Sequence, residues 1–251
     1  MDLNNLILST ILIIFSIFFY KYFILFLKKY NSKIFFDSEF KKPQAFHVSA
    51  TPVIGGVCIY FSFLFIYLNF LFFKNIIFLD YIAFCTLFFL LGFMDDIKIN
   101  INPKIRLGLM IIFLIILVKN NNLYIDKTGI EVLNIWLDNS DFFSLFFICL
   151  CFLFIINGSN LIDGYNGLLG FHALIIIVNL FLINFINGNY DLASFIFFVI
   201  LTLIMFLVFN FPKAKIFLGD SGSYLIGTFI ALCTIKTSIA NPEISPFYFC
   251  I

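Results

Sequence analysis

Apolar residues run through this chain in long blocks separated by short polar breaks. Blocks near 4–27, 52–73, 76–94, 105–118, 142–156, 165–186, 191–210 and 221–239 reach or approach the roughly 20 residues a helix needs to cross a bilayer. A further block opens at "SPFYFCI", where the sequence stops. The pattern predicts an all-α, polytopic integral membrane protein with about eight complete transmembrane helices plus the start of a ninth. The Gly- and Asn-rich breaks read as irregular backbone lining a polar cavity. One long polar connection, Asn120 to Asp141, contains "LYIDKTGIEVLNIWL", whose Gly, Thr and β-branched residues predict a small hairpin outside the bilayer.

Composition sharpens this class. Of 251 residues, 63% are hydrophobic and only 12% charged, where a soluble domain has about half and a quarter. A net charge of +1 excludes a basic nucleic-acid binder. The six cysteines lie in or beside apolar blocks without a CxxC pair, which reads as buried thiols rather than a zinc or disulfide framework. "MDLNNLILSTILIIFSIFFYKYF" has no basic segment ahead of its apolar core, so it reads as a retained first span. Forty Phe against one Trp fits an AT-rich coding bias, and the Phe are expected to be lipid-facing filler.

Charge distribution sets the expected orientation. With the N-terminus outside, the odd-numbered loops are cytoplasmic and carry Lys21, Lys28, Lys29, Lys33, Lys41, Lys42, Lys98, Lys104, Arg106, Lys213 and Lys215. Lys74, Lys119, Lys127 and Lys236 fall outside. Four polar, Gly-bearing segments then share the inner face: "AFHVSATPVIGG" (45–56), "GFMDDI" (92–97), "NGSNLIDGYNGLLG" (157–170) and "KIFLGDSGSYLIG" (215–227). Asp80, Asp126, Glu131, Asp138, Asp141, Asp191 and Glu243 form no comparable motif and are expected to be solvated loop charges.

Asp95, Asp96, Asp163 and Asp220 can therefore converge at one membrane surface, where ionisable groups are costly without partners. Lys104, Arg106 and other basic loop residues could pair with them. A shared divalent cation accounts better for four acids. All-oxygen ligation suits Mg²⁺, which takes one or two carboxylates and completes its shell with phosphate oxygens. Within 157–170, Asn157, Asn160, Asp163 and Asn166 recur every third residue, as do Gly164, Gly167 and Gly170. A three-residue step turns a side chain by about 300° on a helix, so this stripe predicts a tight or broken turn. In "LGDSGS" the next span begins at once, and a helix N-terminus is a natural seat for phosphate oxygens.

Taken in order, "HVSATPVIGG", "GFMDDI", "NPKIRLGL", "NLIDGYNGL" and "FLGDSGS" resemble the motifs of the polyprenyl-phosphate N-acetylhexosamine-1-phosphate transferases. The resemblance covers nearly the whole chain. It implies transfer of a sugar 1-phosphate from a UDP-N-acetylhexosamine to undecaprenyl or another polyprenyl phosphate, with release of UMP. It further implies a bacterial cytoplasmic membrane location, an active site on the cytoplasmic face and a first membrane step of cell-wall, lipopolysaccharide or O-antigen synthesis. By motif, Asp220 and Asn160 resemble Mg²⁺ ligands, with Mn²⁺ as a substitute. Asp95 resembles the residue that deprotonates or positions the lipid phosphate, with Asp96 beside it and Asp163 in the same acidic centre. Arg106, or Lys104 near it, resembles the family's pyrophosphate-holding base. His47, Asn157 and Asn166 join the substrate-binding set, and a homodimer is among the partners considered.

Two departures from the family pattern stand out. The family continues into a His-rich cytoplasmic loop and a last span, so 1–251 reads as a single transferase domain lacking both, a fragment or truncated product. Asn166 stands where the muramoyl-pentapeptide branch usually has Asp, which brings "DGYNGL" and "GDSGS" closer to the N-acetylglucosamine or O-antigen-initiating branch. His172, inside an apolar block, reads as an interhelical histidine. A membrane prenyltransferase would need several Asp within one motif, which "IDGYNG" lacks. A lipid or ion transporter would carry mid-span charges and inverted repeats, and neither is evident.

Overall fold

The computed structural model describes residues 3–30, 35–37, 50–99, 101–125, 128–242 and 244. These residues form nine helices: α1 (Leu3–Tyr30), α2 (Gly55–Phe73), α3 (Leu79–Asp96), α4 (Pro103–Asn120), α5 (Glu131–Asn139), α6 (Asp141–Ile162), α7 (Leu168–Ile186), α8 (Tyr190–Asn210) and α9 (Gly219–Ala240). Two short strands, β1 (Phe36–Asp37) and β2 (Thr51–Pro52), pair antiparallel. Six helices are long and apolar enough to cross a membrane: α2, α6, α7, α8, α9 and the Ile7–Leu27 stretch of α1. The protein is a polytopic membrane protein. Helices α3 and α4 fall short of that criterion because each carries three charged residues: Asp80, Asp95 and Asp96 on one, Lys104, Arg106 and Lys119 on the other.

Local chemistry explains several boundaries. Pro103 opens α4, where a missing N–H costs nothing, and the Asn102 side chain accepts from Lys104 N at 3.0 Å. Ser140 starts α6 by accepting from Phe143 N at 3.2 Å. Two expected elements differ. The 120–141 connection holds helix α5, not a hairpin, because Leu133 and Leu137 recur at helical spacing and Leu137 is buried. The Asn157–Ile162 stretch stays helical as the last turn and a half of α6, and the break comes only at Asp163–Gly167. The start of a ninth span at 245–251 lies outside the described residues.

Helix α9 is the axis of the bundle, with every residue from Ser221 to Ile235 buried and α2, α3, α6 and α7 packed around it. Small residues permit this. A Cβ at Gly92 of α3 would land within the Asp220 carbonyl and the Ser221 amide, so α3 and α9 touch through backbone. The core is more aromatic than lipid-facing filler would be. Phe70, Phe84, Phe88, Phe152, Phe195 and Phe198 are fully buried, and Phe195 meets Phe63, Phe70, Phe78, Tyr81 and Phe229 with centroids 4.4–6.3 Å apart. Such edge-to-face and offset pairs add stabilisation beyond area burial. Many other Phe, such as Phe18, Phe72, Phe73 and Phe154, do face outward.

Of the cysteines, Cys58, Cys85, Cys149 and Cys233 are buried free thiols and Cys151 is half-buried. His172 is exposed on α7 rather than set between helices. Asp80 is not a solvated loop charge. It pairs with Lys236 of α9 at 2.5 Å, and only 12% of its side chain is exposed.

Candidate active site

The site is built on the first turn of α9. Gly219 has φ +79, a left-handed conformation that aims the chain into the helix, and a Cβ there would collide with Val53 and the Asp96 carboxylate. Asp96, the last residue of α3, accepts from Asp220 N at 2.8 Å and from Ser221 N at 3.1 Å. An α9 amide pair that would otherwise be orphaned is thus capped by a carboxylate from another helix, favourably placed at the positive end of the dipole. Asp220 in turn projects from a fixed backbone.

Asp95 points elsewhere. It forms an ion pair with Arg106 of α4, whose guanidinium also lies 4.0 Å from Asp220 Oδ2. Arg106 sits over the ring of Tyr224, 5.7 Å from its centroid. Tyr224 is one α9 turn beyond Asp220, and its hydroxyl interacts with the Asn160 side chain of α6. Asp163, in the turn after α6, is pushed up to about 8, first by burial and then by the charges of Asp220 and Asp96. Asp95, Asp96, Asp163, Asp220, Asn160 and Arg106 therefore come together at one end of the bundle, while the Asp80–Lys236 pair marks the other.

The first and fourth motifs are joined by backbone. Phe217 N donates to Pro52 O at 2.9 Å, Gly55 N to Phe217 O at 2.8 Å and Gly56 N to Leu218 O at 2.8 Å. The third motif is tied in by Asn210, which ends α8. Its Oδ1 accepts from Gly167 N at 2.5 Å and its Nδ2 donates to Ile216 O at 2.9 Å. Asn166 is exposed and donates to Pro212 O at 3.2 Å, so it ties the same two loops. Asn157 donates to Leu153 O of its own helix at 2.8 Å. Lys104 is exposed and makes no ion pair among the described residues, which favours Arg106 as the cation of this site. His47 lies outside the described residues.

Tyr224 and Asn210 escaped the reading of the sequence. Tyr224 could have been found four residues beyond Asp220 on the same helix face. Asn210 is a lone amide at the end of an apolar run, with no local signal of its long-range partners.

The donor set fits a divalent cation in its chemistry. Asp220 is partly open, with 39% of its side chain exposed, and Asp163 shares the region with two other carboxylates. Among the described residues no three His, Cys, Asp or Glu groups close on one point as a protein-only cage. That is compatible with Mg²⁺, which keeps few carboxylates and takes oxygens from phosphates and water.

A polytopic helical bundle thus gathers acids, amides and one arginine at the N-terminus of α9. Residues 78–238 match the family profile described as Glycosyl transferase family 4. Relatives include phospho-N-acetylmuramoyl-pentapeptide-transferases. That of Dictyoglomus turgidum is 34% identical over 250 residues, 94% of this chain and 76% of the relative. That of Listeria monocytogenes is 33% identical over 201 residues, 74% of this chain and 61% of the relative. The chain belongs to glycosyl transferase family 4, a family of membrane glycosyl-1-phosphate transferases. These relatives carry the name of the muramoyl-pentapeptide branch, not of the N-acetylglucosamine or O-antigen-initiating branch that Asn166 suggested.

Proposed function

We propose that the chain transfers a sugar 1-phosphate from a UDP-N-acetylhexosamine to polyprenyl phosphate at the cytoplasmic face of a bacterial inner membrane. In this reading α3 and α4 also cross the bilayer, giving eight spans with the N-terminus outside. The charges that set these two apart lie near their ends, where snorkelling and pairing are least costly. The observation that carries the reading is the Asp95–Arg106–Asp220 arrangement on an α9 N-terminus that Asp96 fixes in place.

A lipid phosphate oxygen attacks the sugar-bearing β-phosphorus of the nucleotide. The new P–O bond forms as the bond to the bridging oxygen breaks, and that oxygen leaves with UMP. A phosphate monoester is mostly dianionic at neutral pH, so Asp95 serves more to orient the nucleophile than to deprotonate it. Arg106 exchanges part of its pairing with Asp95 for the diphosphate oxygens. Asp220 and Asn160, with Asp163 nearby, are the residues to hold Mg²⁺, which when bound supplies charge neutralisation to the diphosphate. Asp96, engaged with two α9 amides, positions Asp220 rather than touching substrate. Asn166 and Asn210 set the relation between the turn bearing Asp163 and the turn bearing Asp220.

UMP release in proteoliposomes tests this reading. It should require Mg²⁺, undecaprenyl phosphate and one of two donors, UDP-N-acetylglucosamine or UDP-N-acetylmuramoyl-pentapeptide. Loss of a group contributing several kcal/mol to charge neutralisation corresponds to more than a hundredfold in rate. Asp220→Asn should fall by about that factor, and full turnover in this variant would refute the assignment.

A further inference from the structure

Helix α5 is more apolar than its packing requires. Nine side chains at steps of about 100° put Ile135, Val132, Trp136, Leu133 and Leu137 on one arc about 200° wide, interrupted only by Asn139. Asn134, Asp138 and Glu131 fill the remaining arc, and Asn134 Oδ1 accepts from Thr128 N at 2.8 Å and from its hydroxyl at 2.7 Å. Only the Leu137 side of the apolar arc is buried against α6. On the other side Val132 is 62% exposed and Trp136 57%, and Ile130 and Ile135 add to the same surface.

We propose that this face of α5 is seated in the interfacial zone of the bilayer, at the end of the bundle away from the carboxylates, with acyl chains as its partner. Three observations select lipid over water or a second copy of the chain. Ser140 both ends α5 and caps α6, so no linker lets α5 move away from a membrane-spanning helix. The exposed surface continues onto α6 through Phe142 and Phe146, and the Trp136 ring meets Phe143 edge-on at 5.4 Å. Finally, Trp is the side chain whose apolar ring and N–H suit the headgroup boundary, and an amphipathic helix buries such a face there. None of this depends on the transferase reading.

Trp136 is the single tryptophan of the chain, so the unmodified protein carries its own probe. The full chain is reconstituted in phosphatidylcholine/phosphatidylglycerol vesicles with iodide on both sides. The expected result is blue-shifted Trp136 emission, strong quenching by lipids brominated near the glycerol end of the chain, and little quenching by iodide. A Trp136→Phe, Asp138→Trp variant moves the fluorophore to the polar arc and should reverse that preference. Water-like emission from Trp136 that iodide quenches and brominated lipid does not would overturn the proposal. Protection from both quenchers would mean cover by protein and overturn it equally. Equal lipid quenching at positions 136 and 138 would refute the choice of face.

Discussion

Consecutive residues on a helix point about 100° apart, and Asp95 and Asp96 use that divergence at the end of α3. Asp95 turns to Arg106 and Asp96 to the first amides of α9. A hydrogen bond to a charged group is worth about 1.5–3 kcal/mol, and Asp96 makes two. Asp96→Asn replaces one acceptor oxygen with a donor facing an N–H. Its half-saturating Mg²⁺ concentration for UMP release should therefore rise at least roughly tenfold; an unchanged Mg²⁺ dependence would show that Asp96 does not position Asp220. Asp163 makes a second prediction, with a definite sign. Pushed up to about 8 in the folded chain from an ordinary carboxyl value of 3.8, it keeps its proton between those limits while the unfolded chain loses it. Without metal, stability should fall as pH rises through that window. Mg²⁺ competes with this proton, so its apparent affinity should rise with pH up to about 8, as a Mg²⁺ titration of thermal stability at pH 6 and 8 would show. The separate orientations of the two Asp could not be read from "GFMDDI", because they depend on partners more than a hundred residues away in one case and on α4 in the other.

At the scale of elements, close backbone packing around α9 sets the geometry. Gly92 lies against the Asp220–Ser221 peptide, whereas a Cβ at Gly158 of α6 would meet nothing within 4 Å. Overpacking a tight contact costs about 1–3 kcal/mol. Gly92→Ala should lower the unfolding temperature in detergent and depress turnover, while Gly158→Ala should leave both nearly unchanged. Similar losses in both variants would contradict the packing described here. The helices themselves were legible because block length and hydropathy report them directly. The exceptions have physical reasons. β-branched residues in "TGIEVLNIWL" suggested strand, yet apolar residues four apart against α6 decide for helix. The polar stripe from Asn157 suggested a break, yet Asn157 satisfies its amide within the helix and defers that break to Asp163.

Across the whole molecule, α3 and α9 run antiparallel, with the carboxylate site at one end and the Asp80–Lys236 pair at the other. Lys and Arg asymmetry put the four motifs on one side before any geometry was known, and the described parts of those motifs do meet there. The identity of each partner was not legible, since interhelical contacts such as Asn210 with Gly167 leave no periodic trace. These groups are proposed to hold a divalent cation against a nucleotide diphosphate at the α9 N-terminus. Mn²⁺ substituted for Mg²⁺ in the reconstituted protein, with UDP added, makes that claim directly observable by electron–nuclear double resonance. The expected spectrum shows ³¹P coupling to bound Mn²⁺, lost in Asp220→Asn; bound Mn²⁺ without ³¹P coupling, or a signal indifferent to Asp220→Asn, would contradict it.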